Sequence, residues 1–252
     1  MTNQDTIERI ASDLGALGIQ RGDMILVHSS LKSLGYVEGG PETVIQGLLK
    51  AIGDDGTLLM PALSYMQNPH HIHSTHDTPS NVGAIPEYFR KRKGTLRSIH
   101  PTHSICGIGK SVSKLFKYHH LDNTPCGHSS PLNRMMDYDA KIIMLGCGLR
   151  PNTTMHALEE YENPPYLFGG DCIYTITDWD KKTYEKKYRC HGFSGYSQRY
   201  DRVALLPPNS FINCGNVLDA QTFVIETQEF KTAVISKLRE NSCYFVDKTN
   251  SQ

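Results

Sequence analysis

Apolar residues recur at near-helical spacing over residues 4–19, where Ile7, Ile10, Ala11, Leu14, Leu17 and Ile19 share one side and Gly18 and Gly22 close the segment. A surface-packed first helix follows from this. Met24-Ile25-Leu26-Val27 is a short, wholly apolar run that breaks off at His28-Ser29-Ser30, the pattern of a buried strand ending in polar residues. Gly39-Gly40-Pro41-Glu42 reads as a turn into a helix over 41–52, with proline at the first helical position and an acid in the first turn. Residues 56–61 form a second apolar run stopped by Pro61, and a helix over 84–92 follows the 62–83 loop. Residues 141–146 give a third apolar strand, with a helix carrying His156 soon after it. This alternation predicts a layered α/β sheet.

Beyond residue 170 the pattern changes to Thr-, Tyr- and Val-rich runs, such as 172–177 and 223–226, separated by Gly, Pro and Asn. Antiparallel strands are expected in this C-terminal third. A final helix around 228–240 precedes the apolar stretch Tyr244-Phe245-Val246. No internal repeat or long polar linker divides the chain, so one domain over residues 1–252 is expected.

Composition narrows the class of protein more than its chemistry. Hydrophobic residues make up 38% of the 252 positions and charged residues 21%, the balance of an ordinary soluble protein with a sizeable core. The 26 basic and 26 acidic residues cancel, so no whole-molecule field favours nucleic acid or an anionic membrane as partner. The first residues have no basic region leading into an apolar core, and no run approaches a bilayer span, which points to the cytoplasm. Seven scattered cysteines without a Cys-x-x-Cys pair argue against a disulfide framework and a zinc ribbon.

Three clusters carry candidate chemistry. In a helix, His156 and Glu159 lie three positions apart and share a face, so the carboxyl group can orient the imidazole and raise its basicity. That pair makes a general base, although His-x-x-Glu alone equally describes a surface pair. Asn152 or Thr153 would cap this helix, and the residues before His156 would present backbone N–H groups to an anionic intermediate. The second cluster is Arg97-Ser98-Ile99-His100-Pro101-Thr102-His103-Ser104, where a guanidinium, hydroxyls and two imidazoles around a proline could grip a phosphate-bearing ligand or simply form a polar loop. The third is His28-Ser29-Ser30-Leu31-Lys32-Ser33 at the first strand's end, where Lys32 and hydroxyls could meet a second phosphate. Residues 35–40 lack the Gly-Lys-Ser/Thr ending of a Walker motif, so ATP chemistry has no support. His70, His71, His73 and His76 crowd one loop with Asp77 and raise the alternative of a metal-dependent hydrolase, although no scaffold for fixed coordination accompanies them. Cys190-His191 reads as incidental, because neighbours in a strand face opposite ways.

Taken together these motifs resemble the aminoglycoside 3-N-acetyltransferase family of antibiotic N-acetyltransferases. The similarity runs in order through Val27-His28-Ser29-Ser30-Leu31 with Gly39-Gly40, Gly56-Thr57-Leu58 with Met60-Pro61, and Arg97-Ser98 with His100-Pro101 and Ser104. It continues through Ser130-Pro131, Leu145-Gly146, and Asn152-Thr153 with His156 and Glu159, so that roughly residues 5–162 are covered. The resemblance implies an α/β sandwich with a central mixed sheet flanked by helices. It also implies acetyl-CoA as donor, direct acetyl transfer to a small-molecule amine, and no metal. By that analogy His156 deprotonates the amine, Glu159 orients it, and the segments His28–Ser33 and Arg97–Ser104 hold coenzyme A, while Asp77, Asn152, Thr153 and Glu160 are candidate acceptor contacts. The part up to about residue 162 would bind coenzyme and carry the chemistry, with residues 165–252 on the acceptor side; a homodimer is left open. The neutral charge is unlike an enzyme that captures polycations, so an amino-sugar of surface-polysaccharide biosynthesis, nucleotide-linked or free, stands beside an aminoglycoside as acceptor.

Overall fold

The computed structural model describes residues 2–249. The first half runs α1 (Asn3–Ala16), β1 (Met24–Ser29), α2 (Gly40–Ile52), β2 (Thr57–Pro61), β3 (Ile72–Ser74), α3 (Ala84–Lys91), β4 (Leu96–Arg97), β5 (Ile105–Gly109), α4 (Val112–Phe116) and α5 (Pro131–Arg134). The second half runs β6 (Lys141–Leu145), α6 (Thr154–Glu162), β7 (Phe168–Thr177), β8 (Thr183–His191), β9 (Tyr196–Gln198), β10 (Ile212–Val217), β11 (Ala220–Glu226), α7 (Thr227–Glu240) and β12 (Val246–Lys248). Every predicted strand and helix is present, with ends shifted by a few residues. The 62–83 segment is less irregular than expected, because β3 pairs with β7.

Seven strands form the main sheet in the order β10-β11-β6-β1-β2-β5-β4. Its centre, β6-β1-β2, is parallel, and both flanks are antiparallel, so the sheet is mixed. The uninterrupted apolar runs of the central strands now have a physical reason: successive side chains alternate between two cores, one on each face. Ile25, Val27, Leu58 and Met60 meet Ile10 and Leu14 of α1, Val44 and Leu48 of α2, and Phe89 of α3. Leu26, Leu59, Ile142 and Met144 meet Leu115, Leu132, Met155, Leu158 and Phe230 on the opposite face. At roughly 1.5–3 kcal/mol for each large apolar side chain removed from water, these two layers supply the main driving force for folding.

Gly47 permits the α1–α2 contact: a Cβ there would lie 2.7 Å from Ile10 Cβ. Its cost to helix propensity, about 1 kcal/mol, is offset by the closer approach of the two helices. A second sheet, β3-β7-β8, and a short β9–β12 pair lie outside the main sheet, and α6 packs against α5 and α7. Thr154 through Glu159 are all buried, an unusual state for a helical segment holding Thr, His and Glu. Among the described residues no helix is long and apolar enough to cross a membrane.

Candidate active site

The parallel strands end at one edge of the sheet, and a cleft of about 770 Å³ opens there. Open α/β sheets bind ligands at this place because the chain leaves the strand ends in loops that diverge. His28 and Ser29 come from the end of β1, Pro61 and Leu63 from the end of β2, and Arg150–Thr153 from the connection between β6 and α6. Gly146 makes that connection turn at once: its φ of 68° is open to glycine, and a Cβ would lie 2.7 Å from Ser33 Cβ.

His156 projects into the cleft from the first turns of α6. Its Nδ1 lies 3.4 Å from Glu159 Oε2 and 3.1 Å from the Tyr200 hydroxyl, which in turn donates to the same Glu159 oxygen at 2.7 Å. Tyr166 donates to the other Glu159 oxygen at 2.8 Å. The dyad read from the i,i+3 spacing is therefore a relay in which Tyr200 makes the shorter link. Burial, reinforced by Glu159, holds both tyrosine hydroxyls above their ordinary range, so they remain donors. With Nδ1 tied back, Nε2 of His156 is left to meet a substrate.

The start of α6 is tied to the first strand. The Thr153 N–H donates to His28 Nε2 at 3.0 Å, with the Thr153 hydroxyl 2.8 Å from the same nitrogen. Burial, with the nearby His156 adding to it, pushes the His28 imidazole down to about 3, so it stays neutral and accepts. The cap comes from Asn152, whose Oδ1 accepts from the Thr154 N–H at 3.1 Å; Thr153 makes no side-chain cap. The N–H groups of Met155 and His156 are spent on the carbonyls of Asn152 and Thr153. The expected supply of free helix N–H groups for an anionic intermediate is thus absent, because these donors already have partners.

The Arg97–Ser104 cluster also departs from expectation. Arg97 is 2% exposed and donates to the carbonyls of Thr75, Thr78 and Ala62 and to the hydroxyls of Ser64 and Ser104. Ser98 accepts from the Ile105 N–H, His100 Nδ1 accepts from two backbone N–H groups, and Ser104 donates to Ala62 O. Arg97, Ser98, His100 and Ser104 face inward and do not line the cleft, so they anchor the 62–80 loop instead of gripping phosphate; His103 alone of this cluster reaches the cleft. Burial lowers Arg97 to about 10, still cationic near neutral pH. Replacing Arg97 with Met strands several buried carbonyls, and a loss of ~3–5 kcal/mol in denaturant-monitored stability is expected. A large rise in coenzyme KM with unchanged stability would restore the phosphate role.

The remaining candidates separate. Ser29, Ser30, Leu31 and Lys32 line a second groove of about 610 Å³, which shares Ser29 with the main cleft; Ser33 turns to Ser30, 2.9 Å between hydroxyls. Asp77 is exposed and pairs with His76 and Ser74, outside the cleft. His73 is fully buried whereas His70, His71 and His76 are exposed, so the loop histidines do not converge and the hydrolase reading has no site there. Glu160 lies behind the cleft wall, where its Oε1 is 2.7 Å from His191 Nε2 and accepts from the Cys126 N–H, so it does not reach an acceptor directly. Burial raises the Glu160 carboxyl to about 6 and pushes His191 down to about 2, so near neutral pH a neutral His191 donates to the Glu160 carboxylate. His103, His191, Phe193 and Tyr200 complete the wall. His103 belongs to the Arg97–Ser104 cluster and His191 to the Cys190-His191 pair set aside as incidental, whereas spacing carried no sign of Phe193 and Tyr200; Cys190 and His191 do face apart as strand geometry requires, Cys190 meeting Tyr174.

Comparison with known proteins places this geometry in context. The family model described as aminoglycoside 3-N-acetyltransferase matches residues 26–239. Aminoglycoside N(3)-acetyltransferase VII of Streptomyces paromomycinus is 32% identical over 179 residues, 64% of this chain; the match spans 62% of that relative, less than two thirds of its length. Among solved structures, a histidine-to-alanine mutant of aminoglycoside acetyltransferase AAC(3)-IVa in complex with a gentamicin superposes with a TM-score of 0.80 at 25% identity, covering 94% of this chain and 89% of that one. AAC-IIIb in binary complex with CoASH shares the fold, with a TM-score of 0.78 at 22% identity and coverage of 96% and 97%. The family model's match over residues 26–239 and the mixed sheet agree: the chain belongs to the aminoglycoside 3-N-acetyltransferase family.

Proposed function

We propose that this protein transfers the acetyl group of acetyl-CoA directly to an amine of an aminoglycoside or related amino-sugar, with His156 as general base. The observation that carries this reading is the buried His156–Tyr200–Glu159 relay, which opens its one spare nitrogen onto a cleft at the strand ends. The amine nitrogen bonds to the thioester carbonyl carbon, the carbon–sulfur bond breaks, and His156 takes the amine proton and returns it to the leaving sulfur. Glu159, through Tyr200, orients the ring and stabilises the imidazolium that forms. Cys147 also lines the cleft, but burial raises its thiol to about 12, which argues for direct transfer over a cysteinyl intermediate.

The groove at Ser29–Lys32 is the coenzyme side in this reading, since it joins the cleft at Ser29 and offers a cation for phosphate. The 165–252 part supplies the acceptor side through His191, Phe193 and Tyr200, with Asn152 and Thr153 at the rim. A second acceptor class has its own support: among the described residues no Asp or Glu lines the cleft, whereas Arg150 does. An amino-sugar bearing an anionic group, such as a nucleotide-linked one, complements that wall better than a bare polycation.

Release of free thiol from acetyl-CoA, measured across aminoglycosides, amino-sugars and amine-bearing sugar nucleotides, tests the reading. Turnover with at least one amine is expected, and the preferred class identifies the acceptor. No thiol release with any amine would overturn it.

A further inference from the structure

Three imidazoles meet in the cleft, and only one is needed for proton transfer. One ring nitrogen each of His103, His156 and His191 lies within 4.8 Å of those of the other two. The ring centroids are separated by 5.0 Å for His156–His191, 5.3 Å for His103–His191 and 5.7 Å for His103–His156.

Each ring has one nitrogen held by a protein group. His156 Nδ1 faces Tyr200 and Glu159, His191 Nε2 faces the Glu160 carboxyl at 2.7 Å, and His103 Nδ1 lies 2.9 Å from the Thr102 hydroxyl. The other nitrogen of each is spare, and His191 Nδ1 is buried with no partner at all. A histidine whose far nitrogen donates to a carboxyl or hydroxyl group is the usual support for a metal-binding imidazole, because it sets the tautomer and strengthens the lone pair. Here all three rings have such support. The two glutamates behind them offset the charge of a divalent ion.

We propose that His103, His156 and His191 form a three-histidine site for a divalent transition-metal ion such as Zn²⁺, and that its occupancy inhibits acetyl transfer by engaging the lone pair of His156. Ligand nitrogens around tetrahedral zinc, at about 2.0–2.1 Å from the ion, stand about 3.3 Å apart, so small ring rotations close the present spacing. Three nitrogen ligands leave a fourth position facing the cleft for water. The open cleft provides access. The site itself is independent of the acetyl-transfer reading, because the ion is detected by binding alone; the inhibition rests on that reading.

Co²⁺ titration of the purified, metal-stripped protein is the test, read by ligand-field absorption in the visible. We expect saturation at one ion per chain with the intensity of a four-coordinate site, displaced stoichiometrically by Zn²⁺. His103→Ala and His191→Ala each weaken binding at least ~100-fold, and Glu160→Gln, which keeps all three ligands, weakens it by ~10–100-fold. A triple His70→Ala, His71→Ala, His76→Ala variant binds as the wild type does. Zn²⁺ also raises the thermal midpoint of the wild-type protein, and the midpoints of the metal-free variants show whether each is folded. Absence of saturable Co²⁺ binding, or binding that survives in folded His103→Ala and His191→Ala proteins, overturns the site. So does binding lost with the loop histidines.

Discussion

Replacing His156 with alanine lowers the rate of thiol release at saturating amine by about 10²–10⁴-fold, the usual contribution of a positioned general base. The fold survives the change, because His156 sits on a cleft wall and its ring fills space that water can take. Glu159→Gln has a comparable effect for a different reason. Both Glu159 oxygens accept tyrosine hydroxyls, and an amide in that place offers one acceptor where two are needed and leaves the imidazolium without a counter-charge. Tyr200→Phe discriminates between the two routes from base to acid. If the 3.1 Å and 2.7 Å links through the hydroxyl carry the orientation, turnover falls by roughly tenfold; the 3.4 Å direct contact preserves the remainder. Progress curves with a thiol reagent, accompanied by circular dichroism of each variant, check all three. Full turnover in both the His156 and Glu159 variants would remove the dyad from the mechanism.

Acidification should unfold the protein over an unusually high pH range, centred near pH 5 to 6. His28, His73, His100, His103, His119 and His191 are six buried imidazoles, all pushed well below the ordinary value of 6.5, chiefly by burial. The native state refuses protons that the unfolded chain accepts, so stability is complete above pH 6.5 and falls as the pH drops below it. At pH 5 each of His28, His73, His119 and His191, held near 2 to 3 in the fold, favours unfolding by ~2 kcal/mol, and these four together approach ~8 kcal/mol, comparable with the whole stability of a typical domain. Glu160 acts oppositely: its native value of about 6 exceeds its ordinary 4.5, so protonation between those values favours the fold, by at most ~2 kcal/mol. The histidines win by number. Fluorescence of Trp179 and far-ultraviolet circular dichroism recorded against pH measure the transition; a native signal persisting to pH 4 contradicts the argument.

The parts of this molecule legible in the sequence are those where local pattern and tertiary role coincide. β1, β2 and β6 announce themselves because a strand buried on both faces must be apolar throughout, and α2 because its proline and acid mark its start. His156 and Glu159 were legible because helical spacing alone brings them together. β8 escaped because its outer residues, Glu185, Lys187 and Arg189, face solvent and its alternation resembles a polar loop. β5 escaped because Gly107 and Gly109 dilute its apolar signal; the first is needed beside Leu59 and Val112, where a Cβ would not fit. Arg97 misled for a related reason. A guanidinium among serines beside a proline looks the same whether it awaits a phosphate or fastens carbonyls 19 to 35 positions away, and only long-range contact distinguishes them. Tyr200, which shapes the base's surroundings, has no local signature at all.

The bond between His28 and Thr153 has a bearing on how such a protein diversifies. It ties the end of β1, which borders both the cleft and the Ser29–Lys32 groove, to the helix that carries His156, while the facing wall of the cleft is assembled from the C-terminal strands and the 62–80 segment. On the proposed reading, substitutions on that wall alter the acceptor side while the tie between β1 and α6 stays in place.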